Sequence, residues 1–170
     1  DKNIAMANQI RVRPEKESLD IVLQLTGWLL LGVLLITALY FYLSLPDVVA
    51  THFNLKGEAD AHGSKISLLL LPVFPILATI GMNWLIRYPH LFNYPVKITE
   101  ENAIRQYTLA IRLIRWLIVV INLLFFLILL SINQAAKTSA NKYGAGIIVA
   151  ATVLPFVPLA IYLIKSAGGK

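Results

Sequence analysis

The chain has 170 residues, of which 58% are hydrophobic and only 14% are charged, and its formal net charge is +6. A soluble domain of this length carries about a quarter charged residues, so the composition argues against that class. Cysteine is absent, which excludes disulfides, thiol catalysis and zinc or iron–sulfur sites ligated by cysteine.

Four long stretches of the chain contain no charged residue. They lie at 21–46, 66–86, 116–136 and 143–164. A helix needs roughly 20 residues to cross the hydrocarbon of a bilayer, where it satisfies its own backbone hydrogen bonds. We therefore predict an all-α, polytopic membrane protein with one transmembrane domain at 18–165. Its four transmembrane helices are predicted at about 18–44, 64–87, 100–133 and 143–165.

Lysine and arginine are distributed unequally between the two predicted sides. Eleven lie in the N-terminal tail (1–17), the second loop with its flanks, and the C-terminal tail (166–170) with Lys165 just before it, and four lie on the other side. The positive-inside rule then places both termini in the cytoplasm and the loops at 45–63 and about 133–143 outside. Because topology explains the basic residues, we expect a lipid bilayer and no nucleic acid as partner.

The first predicted helix begins at Ser18, a residue type that caps helices, and ends at Ser44, before Pro46. It is too long for the h-region of a cleaved signal peptide, so we expect it to be retained. The chain starts at Asp1 rather than Met, and Met6 is a candidate natural start, which leaves open whether residues 1–5 are native.

The first outer loop contains most of the ionisable residues outside the basic flanks. These are Asp47, His52, Lys56, Glu58, Asp60, His62 and Lys65. Its length of about 20 residues exceeds the 2–8 that usually join antiparallel helices, which favours a function. We expect an extended segment at 51–55 and a turn at Gly57, a residue that readily adopts positive φ. A reversal there brings His52 near Asp60, and we expect Lys65 to reach back to Asp60 or Glu58. The predicted cluster is His52, Asn54, Asp60 and Lys65.

Three interpretations of this loop remain open. It is a structured cap, or a recognition surface for an extracellular peptide or protein, or a metal site built from His52, Asp60 and His62. Their spacing matches no standard zinc signature, so we predict no metal and no cofactor. The candidate binding residues are Asp47, His52, Asn54, Gly57, Glu58, Asp60 and Lys65.

The second and fourth predicted helices share a Leu-Pro-x-x-Pro string. Its prolines are Pro72 and Pro75 in one helix and Pro155 and Pro158 in the other. Because proline lacks an amide N–H, we expect both helices to bend there and to face each other across the bundle. The matching strings suggest two helix-pair repeats. The bends are either packing kinks or the wall of an inward polar cavity.

The third predicted helix begins before the membrane, with Thr99 as its expected cap. Arg105, Arg112 and Arg115 fall on roughly one side of it, near the predicted cytoplasmic surface. Such a basic face attracts anionic lipid headgroups or holds a cytoplasmic or membrane protein partner. Asn122 in this helix and Asn83 in the second are expected to bond between helices.

The outer loop resembles the signature of an uncharacterised domain of bacterial membrane proteins, which also forms the N-terminal module of the SdpI immunity protein. The matching pieces are Leu45-Pro-Asp, His52-Phe-Asn, Gly57-Glu, Asp60 and Gly63-Ser-Lys65. Ala50 and Ala59 depart from the pattern, where the family usually has proline. The resemblance implies a multi-pass protein of the bacterial cytoplasmic (inner) membrane, with immunity or toxin-dependent regulation as the implied role.

The favoured function is a non-enzymatic membrane protein whose outer loop binds or senses an extracellular peptide or partner. The alternatives are an accessory subunit of a larger membrane complex and a small transporter. No Asp, Glu, Lys or Arg lies in a predicted membrane core, where transport pathways usually place one. A hydrolase using His52 and Asp60 is least favoured, because the chain lacks G-x-S-x-G and H-E-x-x-H motifs.

Overall fold

A computed structural model of the chain describes residues 10–137 and 144–168. Its elements are α1 (Ser18–Ser44), β1 (Val48–Phe53), β2 (Ala59–Ser64), α2 (Ser67–Leu70), α3 (Val73–Leu85), a 3-10 turn (Pro89–Leu91), α4 (Ala103–Lys137), α5 (Gly144–Val153) and α6 (Phe156–Ala167). By length and composition, four helical stretches are able to cross a membrane. The predicted helical, four-span architecture is confirmed, with a β-hairpin added between the first two spans.

Helix α1 has the predicted bounds but a different cap. Glu17 is the N-cap residue, and the Asp20 carboxylate accepts a hydrogen bond from the Glu17 N–H at 3.0 Å. A carboxylate in the first turn satisfies a backbone donor that the helix itself leaves free. The expectation that Ser18 caps this helix was therefore wrong. At the other end the backbone turns extended at Leu45, one residue before Pro46.

The second and fourth spans are each interrupted at their first proline. The second divides at Leu71–Pro72 into α2 and α3, and the fourth divides at Leu154–Pro155 into α5 and α6. Pro72, Pro75 and Pro158 are buried and Pro155 is half-buried, so the prolines pack against protein. The helices are thus interrupted at the predicted prolines, and the size of the bends stays a prediction.

The hairpin delays the start of the second span. Strand β2 runs to Ser64, so the helix starts at Ser67 rather than at about residue 64 as predicted. The Ser64 hydroxyl instead accepts a long hydrogen bond from the Ile66 N–H at 3.4 Å. Lys65 and Ile66 connect the end of the strand to the start of the helix.

Helix α4 organises the bundle. Its 35 residues correspond to roughly 50 Å, well beyond the 30 Å of a hydrocarbon core. Helices α1, α3 and α6 and strand β1 all pack against it. The two proline-interrupted spans therefore make their main contacts with α4 rather than with each other, which corrects the expected arrangement. The relation between two helix-pair repeats stays a prediction.

The start of α4 also differs from the expectation. The helix begins at Ala103, whose N–H donates to the Thr99 carbonyl at 2.9 Å. The Asn102 side chain accepts from the Thr99 N–H at 2.9 Å. Thr99 therefore contributes its backbone, and not the expected side-chain cap.

The basic segments meet at one end of the bundle, called here the inner end. The Tyr107 hydroxyl donates to the Ile10 carbonyl at 2.9 Å, and Arg105 donates to the Lys165 carbonyl at 2.5 Å. The N-terminal segment, the start of α4 and the end of α6 thus share one side, and the hairpin lies at the opposite, outer end. This grouping agrees with the predicted topology, and its assignment to the cytoplasm stays a prediction. The third loop beyond Lys137, and Lys2, Lys142 and Lys170 of the charge count, lie outside the described residues.

Candidate functional site

The outer hairpin is anchored by one strand and exposed along the other. Val49 and Ala50 of β1 are 1% and 2% exposed, and Val49 joins an apolar cluster with Phe41, Leu68 and Leu129. Every residue of β2 is at least partly exposed. The hairpin is therefore anchored to the bundle through β1 while it exposes β2.

The register of the hairpin shifts at Thr51. Ala50 pairs with His62, but His52 pairs with Ala61, so one extra residue lies in β1 at this point. A bulge of this kind bends a strand and redirects the side chains that follow it. His52 is the first side chain after the shift.

Asn54 and Gly57 build the turn. The Asn54 side-chain oxygen accepts the N–H groups of Lys56 and Glu58 at 2.9 and 3.0 Å, and its amide donates to the Glu58 carboxylate at 2.9 Å. Gly57 has φ of 80°, a conformation that glycine adopts without steric cost. The predicted turn at Gly57 is confirmed, and the contacts of Asn54 and Glu58 shape it.

His52 and Asp60 lie in contact across the hairpin, as the turn position predicts. The His52 Nδ1 and Asp60 Oδ1 atoms are 2.5 Å apart, and the two side chains are 69% and 43% exposed. The carboxylate orients the imidazole, and the ring's other nitrogen has no partner in the described part of the chain. This arrangement offers a positioned hydrogen-bonding group to a ligand outside the membrane.

Lys65 belongs to the base of the hairpin and not to this pair. Its ammonium lies 3.0 Å from the Asp47 carboxylate and 5.4 Å from the centre of the Tyr42 ring. The backbone N–H of Lys65 also donates to the backbone carbonyl of Asp47 at 2.9 Å. The expectation that Lys65 reaches Asp60 or Glu58 was wrong. Asp60 is five residues away along an extended strand, a separation of roughly 16 Å.

His62 does not complete a metal centre. Among the described residues, no three His, Asp or Glu side chains form a group able to hold a metal ion. His62 pairs with Ala50 in the strand register, whereas His52 pairs with Ala61. The set of His52, Asp60 and His62 is therefore not assembled as a ligand sphere.

The inner end contains a buried ionic network that the sequence did not reveal. Arg115 Nη1 lies 2.5 Å from Asp20 Oδ1, and Arg112 contacts both Asp20 oxygens at 3.3 Å and Glu17 at 2.7 Å. Asp20 is 2% exposed and Arg115 is 4% exposed. Arg112 and Arg115 thus neutralise carboxylates of α1, and the expected open basic face was wrong. Arg105 lies apart, bonded to a carbonyl at the end of α6, where a cation is favoured.

A second buried polar group joins three helices in the membrane interior. The Asn122 amide donates to the Gly27 carbonyl at 3.0 Å and to the Thr79 hydroxyl at 3.2 Å. The predicted interhelical role of Asn122 is confirmed. Asn83 instead donates to the Thr79 carbonyl of its own helix at 2.8 Å, so that expectation was wrong.

Two cavities lie apart from the hairpin. A groove of about 270 Å³ beside Pro158 is lined mainly by apolar side chains, including Leu113, Trp116 and Val157. This lining agrees with packing kinks and not with a polar cavity at the prolines. A second, polar cavity of about 250 Å³ lies at the inner end, beside Arg115.

Residues 29–76, which contain the whole hairpin, match a family described as a domain of unknown function (DUF1648). An 84-residue segment is 31% identical to an uncharacterised protein of Archaeoglobus fulgidus, across 45% of this chain and 46% of that protein. The match thus spans about half the length of that relative. No solved structure matches the chain. These similarities support an uncharacterised-domain family for the hairpin region.

Proposed function

We propose that the protein is a non-enzymatic membrane protein that recognises an extracellular peptide or protein through its outer hairpin. The observation that supports this is the contrast within the hairpin, where Val49 is buried at 1% exposure while all of β2 is accessible. A rigid, exposed element loses little conformational entropy when a partner binds.

Strand β2 suits an extended peptide. It pairs with β1 alone in the described part of the chain, so its other edge carries backbone donors and acceptors outside the ladder. Such an edge is a template for strand addition, in which backbone bonds give affinity and neighbouring side chains give selectivity. His52 of β1, held by Asp60 of β2, supplies a directed hydrogen bond on the same hairpin.

The resemblance of the hairpin to the module of the SdpI immunity protein suggests the finer role. In that role the ligand is a secreted killing peptide, and the hairpin captures it before it damages the membrane. The setting is the cytoplasmic membrane of a prokaryote, with the hairpin outside and both termini in the cytoplasm.

A photo-reactive residue at position 61 tests the recognition site. Ala61 is exposed in β2, next to Asp60. Ile36, 72% exposed on α1 within the membrane, provides the matched control. We expect irradiation of intact cells exposed to secreted peptides to give a discrete peptide adduct at position 61 and none at position 36. The adduct should disappear in the His52→Ala background while the protein level stays unchanged. Equal labelling at the two positions, or no polypeptide adduct at 61, would contradict the proposal.

An accessory subunit of a membrane complex is a second candidate, favoured by the apolar groove of about 270 Å³ between α1, α4 and α6. A partner helix in this groove would contact Trp116 and Val157. Replacement of Val157 by Trp should then break up a complex isolated in mild detergent from the native membrane. An intact complex after this change would argue against the subunit role.

A further inference from the structure

The polar cavity at the inner end plays no part in recognition at the hairpin. It has a volume of about 250 Å³ and lies among α1, α3, α4 and the N-terminal segment. No carboxylate of the described residues lines it. The polar side chains that line it are Arg13, Lys16, Gln24, Asn83, Arg87 and Arg115.

The positive charges around this cavity exceed the negative charges that neutralise them. Among the cavity arginines, Arg115 pairs with a carboxylate, that of Asp20, and Asp20 is shared with Arg112. Arg112 and its second partner Glu17 lie outside the cavity. Arg13 and Arg87 form no ion pair with any described residue, and Lys16 donates to the neutral Gln24 at 3.2 Å. The lining thus keeps at least three cations without a carboxylate partner.

Arg115 adds an observation that is independent of the charge count. Its side chain is 4% exposed, and its Nε–H, fully buried, has no hydrogen-bond partner in the structure. A buried donor on a charged group without an acceptor is costly, and native structures rarely leave one. Arg115 also lines the cavity, and an anion bound there would offer its guanidinium an acceptor.

The position of the cavity indicates the kind of anion. Gln24 and Trp28, which line its inner part, lie six and ten residues from the start of α1, or roughly 9 and 15 Å along the helix. The cavity therefore leads from the basic N-terminal segment at the membrane surface into the bundle, across the depth of a headgroup layer. Arginine binds phosphate through paired N–H groups, and the cluster has the donors for it.

We propose that this cavity binds a phosphate group, either the headgroup phosphate of an anionic phospholipid in the inner leaflet or a free phosphate. Arg115 forms the floor of the site, and Arg13, Lys16 and Arg87 close over the anion from the membrane surface. The bound anion also completes the ionic network that joins α1 to α4.

Binding to the purified full chain in a neutral detergent tests the site. The probes are phosphatidylglycerol, diacylglycerol as a lipid without phosphate, and inorganic phosphate. The test variant is Arg13→Gln with Arg87→Gln, two exposed residues that bond to no described carboxylate. The matched control is Arg11→Gln with Lys97→Gln, which removes the same charge from exposed positions outside the cavity.

We expect phosphatidylglycerol to bind the unmodified chain and diacylglycerol not to bind. The cavity variant should weaken phosphatidylglycerol binding at least about tenfold, because it removes two charge-assisted contacts, while the control should stay within about twofold. If the lipid does not bind but inorganic phosphate does, and the cavity variant weakens its binding, the phosphate site is supported and its ligand is a soluble phosphate. Equal losses in both variants, or no binding of either phosphate probe, would overturn the proposal. Melting curves without ligand should coincide for the two variants, which separates lost binding from lost folding.

Discussion

The outer and inner ends of the molecule each contain a carboxylate 2.5 Å from a basic nitrogen, in very different surroundings. At the outer end the side chains of His52 and Asp60 are 69% and 43% exposed, and at the inner end the side chains of Arg115 and Asp20 are 4% and 3% exposed. Exposed pairs are screened by water and contribute little to stability, whereas removing one partner of a buried pair leaves an uncompensated charge. Although the distances are equal, the outer pair is accessible to a ligand, whereas the inner pair stabilises the packing of α1 on α4.

The largest expected effect comes from a test of which side of the membrane each end faces. The chain contains no cysteine, so a single introduced cysteine reports on its own position. A Lys56→Cys variant, in the hairpin turn, should react fully with a membrane-impermeant maleimide on intact cells. A Lys97→Cys variant, at the inner end, should react only after the membrane is permeabilised. The reverse pattern would invert the assignment of both ends.

Asp20→Asn tests the buried network. The substitution removes the carboxylate that serves both Arg112 and Arg115 and leaves Arg115 buried without a counter-charge. We expect the free energy of unfolding in mixed micelles to fall by about 3–5 kcal/mol. Glu17→Gln is the control, because Glu17 is 68% exposed, and its loss should stay below about 1 kcal/mol. Similar losses of unfolding free energy for Asp20→Asn and Glu17→Gln would contradict the stabilising role assigned to the buried ion pair.

Gly27→Ala tests the close packing of α1 on α4 between the two ends. A methyl group at Gly27 would lie 2.9 Å from Cγ2 of Ile118, which is 5% exposed and cannot move aside freely. We expect a loss of about 1–3 kcal/mol, measured by the same unfolding titration. Gly32→Ala, in the same helix with open space around it, should be neutral or stabilising. A double variant with Ile118→Ala should recover part of the loss that Gly27→Ala causes relative to Ile118→Ala alone.

His52→Ala has the smallest expected effect on stability. Since the pair with Asp60 is exposed, its loss should lower the free energy of unfolding by no more than about 1 kcal/mol. Ligand capture at the hairpin should nevertheless be lost, while Lys56→Ala, a change in the turn away from this pair, should retain it. A large loss of stability with His52→Ala would instead assign the pair to a structural cap.

The features predictable from the sequence were those with local signals. Long charge-free stretches indicate spans, and Gly57 places the turn that brings His52 to Asp60. Contacts between distant segments carried no such signal. Asp20 lies 95 residues before Arg115, and nothing in the pattern of either helix shows that they face each other. The partner of Lys65 depended on the strand register, which includes a bulge at Thr51 that no periodicity announces.

The hydrogen bonds of Asn122 have a consequence for the order in which the spans assemble during synthesis. Both of its partners, Gly27 and Thr79, belong to spans that leave the ribosome earlier, as does Asp20, the partner of Arg112 and Arg115. A polar amide entering lipid alone is costly, but this one arrives when its acceptors are already in the bilayer. The third span thus forms its buried polar contacts with spans that are already inserted. The fourth span, whose Ser166 hydroxyl donates to the Gln106 side chain at 2.6 Å, then joins the three that precede it.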